Sequence, residues 1–240
     1  MLIIAHRGAS GCELENTKES LQKAIEMKVD MVEFDVSVTK DGVPVLFHDN
    51  RLFRLSRKVF RLRKLEFKDI KNYILKKKIN GAIHKSSIIT FEDALSILSN
   101  IKINVELKPS SLGHEKKILE ILSEKGLKHK SIISSFDFEI IKNIKKIDSE
   151  VKIGYLASYY WKKKLDKISS IGGYSINPHY MFITKKNVEE AHKQGLKVYA
   201  YPSNTIKSMR NLIEANVDGI ITNYPDKLRG LLDEMHKSSN

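Results

Sequence analysis

Met31-Val32-Glu33-Phe34-Asp35-Val36, then Lys40-Asp41-Gly42, then Val43-Pro44-Val45-Leu46-Phe47-His48: the reading of this stretch decides the fold. The first run is apolar on both alternating faces apart from its two carboxylates. A strand of that kind is buried on both sides, as in a parallel sheet covered by helices, and is wet only at its end. The Asp-Gly pair between two extended runs signals a hairpin, because a tight primed turn needs positive φ at its centre. A turn centred on Asp41-Gly42 sets Asp35 opposite His48 and puts Glu33 on the face of Asp35. Two carboxylates and an imidazole would then share one wall. A slip of one residue breaks that arrangement.

Working outward, strand and helix patterns alternate along the chain. Strand runs are Leu2–His6, Met31–Val36, Ile103–Leu107, Ser131–Ser135, Lys152–Leu156, Tyr174–Asn177, Lys197–Tyr201 and Gly219–Thr222, with helical runs between them from Thr17–Met27 to Pro225–His236. Gly126 and Gly195 stand where helix C-caps belong. Eight βα units close most simply into a TIM (β/α)8 barrel, an α/β fold. Residues 49–87 break the alternation: they are basic and show no clear strand. They are expected to form a small inserted cap after the hairpin of the second strand, packed on the barrel core and not independent. The expectation is a single domain over residues 1–240, frayed at Lys237-Ser238-Ser239-Asn240.

The chain has 240 residues, 41% hydrophobic and 30% charged, an ordinary globular composition. No apolar run approaches the ~20 residues of a membrane span. Met1-Leu2-Ile3-Ile4 enters the first strand with no basic stretch before it, so no signal peptide and a cytoplasmic location are expected. The lone Cys12 excludes an intramolecular disulfide and reads as a loop cysteine. A net charge of +13 invites nucleic acid, an anionic membrane or an anionic substrate. Most lysines lie along helices as solvated faces, so nucleic acid is not the expected partner. The denser cluster Arg51, Arg54, Arg57, Lys58, Arg61, Arg63 and Lys64 directly follows His48-Asp49. Its place favours attraction of a substrate, or peripheral contact with an anionic membrane. These patterns set no oligomeric state.

Three short segments, Ala5-His6-Arg7-Gly8, Glu33-Phe34-Asp35 and Phe47-His48-Asp49, each end an apolar run. Together they supply what phosphodiester cleavage needs: an acid, a base, oxygen ligands for a divalent metal and a counter-charge for phosphate. Active sites of such barrels lie at the C-terminal ends of the strands. His6, Arg7, Glu33, Asp35, Glu106, Lys108, Ser135 and Tyr201 all fall at or near those ends. A shared pocket accounts for so many better than chance does. For Ser135, Asn177 and Tyr201 a structural hydrogen bond is an equal reading, and Asp49 reads as the end of the hairpin.

The ordered set His6-Arg7-Gly8, Glu15-Asn16-Thr17, Glu33-x-Asp35, Asp41-Gly42, His48-Asp49, Glu106-x-Lys108 and Val217-Asp218-Gly219-Ile220-Ile221-Thr222-Asn223-Tyr224-Pro225-Asp226 resembles the glycerophosphodiester phosphodiesterases, from Ala5 to about Leu228. The resemblance implies a TIM barrel with a cap after the second strand. It implies one divalent cation, Ca²⁺ or Mg²⁺, on Glu33, Asp35 and Glu106, with His6 and His48 as acid and base. Arg7 and Lys108 would contact the phosphate, while Glu15 and Asn16 would order the first loop. The implied activity is metal-dependent hydrolysis of small glycerophosphodiesters to sn-glycerol 3-phosphate and an alcohol. Lysophospholipase D-type hydrolysis, or a lyase releasing a cyclic phosphate from lipids, is the alternative. A non-catalytic anion-binding module is opposed by the intact pair of histidines and three carboxylates. The sequence departs from the family at Arg54-Leu55-Ser56, where Arg-Thr is common, at Tyr201-Pro202, where tryptophan is common, and at Asn223, where aspartate is common.

Overall fold

The computed structural model describes residues 1–237; residues 238–240, part of the expected frayed end, lie outside the described residues, and Lys237 closes the last helix. The strands are β1 (Leu2–His6), β2 (Met31–Val38), β3 (Pro44–Leu46), β4 (Leu75–Ile79), β5 (Ala82–Ser86), β6 (Lys102–Leu107), β7 (Ser131–Ser135), β8 (Lys152–Ala157), β9 (Ser175–Pro178), β10 (Lys197–Ala200) and β11 (Gly219–Thr222). Parallel pairing runs β1-β11-β10-β9-β8-β7-β6-β2, and β1 also pairs with β2, so eight strands close a ring. Helices fill the crossovers, as a (β/α)8 barrel requires. Thr17 caps the first, α1 (Lys18–Glu26), by accepting the Ser20 N–H. Gly126 and Gly195 take φ of 66° and 74° just past their helices, the left-handed stop expected there.

Side-chain alternation sorts the core into two layers. Ile3, Ala5, Val32, Phe34, Ile103 and Val105 pack with the helices in the main cluster. Ile4, Met31, Ile132, Tyr199 and Ile221 form a separate cluster with no helix residue in it, which is the inside of the ring. One step further along the same inward face, His6 is level with Glu33, Glu33 with Asn104, Asp35 with Glu106, and Glu106 with Ser134. Parallel register thus delivers three acidic side chains and a histidine to one end of the barrel.

The hairpin register differs from the sequence expectation by one residue. Val36 faces Leu46 and Ser37 faces Val45, so Asp35 falls opposite Phe47, whose N–H donates to the Asp35 carbonyl at 3.1 Å. The Asp35–His48 pairing is therefore incorrect. The turn is a three-residue loop, Lys40-Asp41-Gly42, in which Gly42 at φ 74° donates to the Thr39 carbonyl. That is a type I turn closed by a left-handed glycine rather than a two-residue primed turn. His48 lies beyond β3 and reaches the barrel mouth because the chain leaves the sheet after Leu46.

The inserted segment is not strandless, a second correction. β4 and β5 pair antiparallel from Leu75 opposite Ser86 to Ile79 opposite Ala82. Asn80 (φ 48°) and Gly81 (φ 88°) make the two-residue turn between them. The lysine triplet 76–78 hides the strand, since only Leu75 and Ile79 of β4 are buried. The cap's buried Leu52, Leu55, Leu62, Ile70 and Leu75 gather around Leu14, Val45, Phe47 and Ile88 from the barrel side. That contact fixes the cap over the rim that carries His48. Among the described residues, no helix is long and apolar enough to cross a membrane.

Candidate active site

Oxygens of Glu33, Asp35 and Glu106 all lie within 4.8 Å of one another, and all three residues are buried. Two cations hold this acidic ring. Lys108 Nζ lies 2.8 Å from Asp35 Oδ1 and also pairs with Glu106 Oε1. Arg7 Nε lies 3.1 Å from Asp35 Oδ2, and the Arg7 main-chain N–H donates to Glu33 Oε2 at 2.9 Å. Asn16 clamps Asp35 from the first loop: its Nδ2 donates to Oδ2 at 2.7 Å, and its Oδ1 accepts the Asp35 N–H at 3.1 Å. Arg7 and Asn16 both sit at left-handed backbone, φ 56° and 57°. Such a conformation costs a non-glycine residue roughly 1–2 kcal/mol. The contacts to Asp35 and Glu33 hold it there.

A second tier surrounds the first. Glu15 binds Arg7 Nη1 at 2.7 Å, Arg54 at 2.6 and 2.8 Å, and Lys77 at 3.2 Å. Arg54 also donates through Nε to Asp49 Oδ2 at 2.6 Å, and Asp49 Oδ1 lies 2.7 Å from His48 Nδ1. Arg54 thus ties the first loop to the cap and to His48. His6 Nδ1 lies 2.6 Å from Asn223 Oδ1. With oxygen acceptors on both Nδ1 atoms, each imidazole keeps Nε2 for another partner.

The electrostatics are lopsided. Burial, and then the charges of Asp35 and Glu106, push the Glu33 carboxyl well above the usual range. Burial and Asp35 also raise Glu106, against the pull of Lys108. Burial works against the Asp35 carboxylate too, yet Lys108 and Arg7 outweigh it and hold Asp35 below the usual range. Burial, then the Arg7 charge, brings His6 down to about 4. Three acids crowd two close cations, and this crowding disfavours the charged forms of Glu33 and Glu106. Asp35 Oδ1, although buried, makes no aligned hydrogen bond. An oxygen-only donor set of this kind fits a hard divalent cation such as Ca²⁺ or Mg²⁺.

The residues singled out in the sequence converge unevenly. His6, Arg7, Glu15, Asn16, Glu33, Asp35, Glu106 and Lys108 meet as described. His48 lines a cleft of about 380 Å³ together with Glu106, Lys108, Ser135 and Phe136. The Ser135 hydroxyl is already engaged, donating to the Leu107 carbonyl at 2.7 Å and accepting the Asp137 N–H at 3.1 Å. Ser134, not Ser135, is level with Glu106, and its buried hydroxyl has no hydrogen-bond partner among the described residues. Tyr201 donates to the Ala157 carbonyl at 3.2 Å and sets its ring edge-on to Phe136 and His179, a wall of the mouth. Asn223, Asp49 and Arg54 were not singled out for the site. Each carried a positional signal: Asn223 one residue past a strand that ends at the rim, Asp49 beside His48 in one motif, and Arg54 in the basic cluster that follows it.

A closed eight-stranded barrel with an acidic, histidine-flanked mouth at the C-terminal ends of its strands is a TIM-barrel enzyme. The sequence model of the Glycerophosphoryl diester phosphodiesterase family matches residues 6–227. The chain belongs to that family. A glycerophosphodiester phosphodiesterase of Caldanaerobacter subterraneus subsp. tengcongensis is 29% identical over 236 residues, covering 96% of this chain and 97% of the relative. A phosphodiesterase of Oleispira antarctica, solved in complex with the product sn-glycerol-3-phosphate, superposes with a TM-score of 0.83 at 26% identity, with 96% of each chain covered. A structure from Silicibacter pomeroyi gives a TM-score of 0.88 at 21% identity, covering 97% of this chain and 93% of that one, a likeness of fold.

Proposed function

We propose that this phosphodiesterase hydrolyses glycerophosphodiesters to sn-glycerol 3-phosphate and an alcohol, with one divalent cation on Glu33, Asp35 and Glu106 and with His6 and His48 as acid and base. The observation that carries this is the three carboxylates within 4.8 Å of one another at a mouth that also holds both histidines. The product bound in the Oleispira antarctica relative points to the same chemistry. When bound, the cation would neutralise charge building on the phosphoryl oxygens.

The chain's own residues would do the rest. Arg7 and Lys108 supply the fixed positive charge that phosphate requires. Asn223 and Asp49 orient the two imidazoles so that each presents Nε2 to the substrate. One histidine protonates the leaving alkoxide and the other takes a proton from the attacking oxygen. Each is worth roughly 10²–10⁴-fold. Asn16, Glu15 and Arg54 keep the acidic ring and its cations in place.

The test is a product assay on glycerophosphocholine, glycerophosphoethanolamine and lysophosphatidylcholine, with and without EDTA. Glycerol 3-phosphate should form from the first two only when cation is supplied. Turnover that persists in excess chelator would remove the metal from the mechanism, and turnover of the lysolipid alone would move the activity to lipid substrates.

A further inference from the structure

Apart from Lys64, the cationic cluster of the cap divides into two groups. Arg54 is committed to Glu15 and Asp49, while Arg57 lies over the Phe53 ring and Lys58 over the Tyr73 ring. Arg51, Arg61 and Arg63 have no carboxylate within ion-pair reach among the described residues. The backbone nevertheless holds the first two together, and Arg63 joins them in the lining of one cleft. Arg51 and Arg61 are direct partners in an antiparallel bridge. It is locked by Leu52 N–H to the Phe60 carbonyl at 3.1 Å and by Leu62 N–H to the Asn50 carbonyl at 3.2 Å. Like charges placed opposite one another in this way repel. All three side chains are exposed, so water screens part of that repulsion, and an anion in the cleft would relieve the rest.

These arginines line a cleft of about 390 Å³ with Asn50, Pro109 and Ser110. The cleft holding His48 and Lys108 shares Asn50 and Pro109 with it. One continuous wall therefore leads from the candidate catalytic groups to three unpaired guanidinium groups. A glycerophosphodiester carries a single phosphate charge in its scissile group, which Arg7, Lys108 and a cation held by the acidic ring would meet. An anion in the arginine cleft must come from elsewhere on the substrate, and the alcohol is the half that varies.

We propose that the Arg51, Arg61 and Arg63 cleft binds a second phosphate carried on the alcohol, so that the preferred substrates are glycerophosphodiesters whose released alcohol is itself a phosphomonoester. This rests on the hydrolase reading above. Guanidinium groups take phosphate oxygens in bidentate pairs, and each charged hydrogen bond of about 1.5 kcal/mol corresponds to roughly tenfold in binding.

The experiment compares two soluble diesters, glycerophosphoglycerol and the same molecule with a terminal phosphate, at low and high salt. The wild-type kcat/KM should favour the phosphorylated diester by about tenfold or more at low salt, with the preference shrinking as salt rises. In Arg51→Gln/Arg61→Gln/Arg63→Gln the ratio should fall to near one. Arg63→Gln alone should lower it partly, which keeps the test decisive if the triple variant folds poorly. Equal use of both diesters by the wild type, or a ratio untouched by the substitutions, overturns the proposal and leaves the hydrolase reading intact. Turnover of neither overturns the hydrolase reading and this one with it. Phosphatidylglycerol vesicles test the other source of phosphate charge, an anionic membrane surface. Arginine-dependent co-sedimentation with an unchanged substrate ratio would assign the cleft to a membrane surface and refute the proposal.

Discussion

The lower and upper halves of the barrel interior share the inward face of the strands, with Met31 and Glu33 only two residues apart on β2, and their energetics are opposite. Below, Ile4, Met31, Ile132, Tyr199 and Ile221 are at most 3% exposed and touch one another. Each such side chain stabilises the fold by roughly 1.5–3 kcal/mol. Above, Glu33, Asp35, Glu106 and Lys108 are also buried, but burial opposes the charged form of each. Asn104 and Ser134, level with Glu33 and Glu106, keep buried polar atoms without hydrogen bonds among the described residues. A buried polar group left unpaired costs about 1–3 kcal/mol. The lower half holds the barrel shut, and the upper half gathers buried charges that Arg7 and Lys108 hold in pairs against the cost of burial. The lower rim shows that charge alone is not the distinction. There Asp218 accepts from Lys197 Nζ at 2.9 Å and from the Val198 N–H at 2.9 Å, and it lies 2.7 Å from His192 Nε2.

The largest effect expected is kinetic and confined to the upper half. His6→Ala or His48→Ala should lower kcat by about 10²–10⁴-fold while leaving the urea midpoint close to that of the parent. A loss below tenfold in both would break the acid–base assignment. Cation removal comes next: EDTA should abolish product release, and Mg²⁺ or Ca²⁺ should restore it. Added cation should also raise the melting temperature, by the equivalent of about 2.7 kcal/mol at a concentration 100 times Kd. A melting curve indifferent to cation would contradict the contrast drawn between the halves.

In the lower half the signs reverse. Ile132→Ala should cost roughly 2–5 kcal/mol of stability by urea unfolding, with kcat per folded molecule nearly unchanged. The smallest effect belongs to the lower rim. Burial would raise the Asp218 carboxyl, but Lys197, the Val198 N–H and His192 together hold it below the usual range. A carboxyl lowered in the folded state contributes stability that is full above its unfolded value near 4 and is lost as pH falls through the folded value. Asp218→Asn should therefore cost about 1–2 kcal/mol at pH 7 and less at pH 3. Denaturation midpoints at the two pH values measure the difference, and an equal cost at both would mean that charge plays no part.

Much of the upper half was legible in the sequence because strand periodicity is local. Leu2–His6, Ser131–Ser135 and Gly219–Thr222 read from residue patterns coincide with β1, β7 and β11. Alternation also put Glu33 and Asp35 on one face. The hairpin failed where two turn types compete for one Asp-Gly pair, since a loop of two or three residues reverses every partner beyond it. The cap hairpin failed differently: Asn80-Gly81 is a turn signal, but Lys76, Lys77 and Lys78 between Leu75 and Ile79 give no alternation to accompany it. Arg54 could not be foreseen as a tie between Glu15 and Asp49, because the contact spans 39 residues of chain and depends on how the cap lies.

By itself the sequence determined the eight βα units, the parity that sends carboxylates inward, and the family to which the chain belongs, since each depends on neighbours along the chain or on an ordered set of motifs. Only the tertiary structure decided which groups touch: the register that sets Asp35 level with Glu106, the exit of the chain after Leu46 that brings His48 to the mouth, and the bridge that forces Arg51 beside Arg61. The physical reason is that electrostatic and hydrogen-bond energies change over a few ångströms, a distance fixed by packing and not by spacing in the chain.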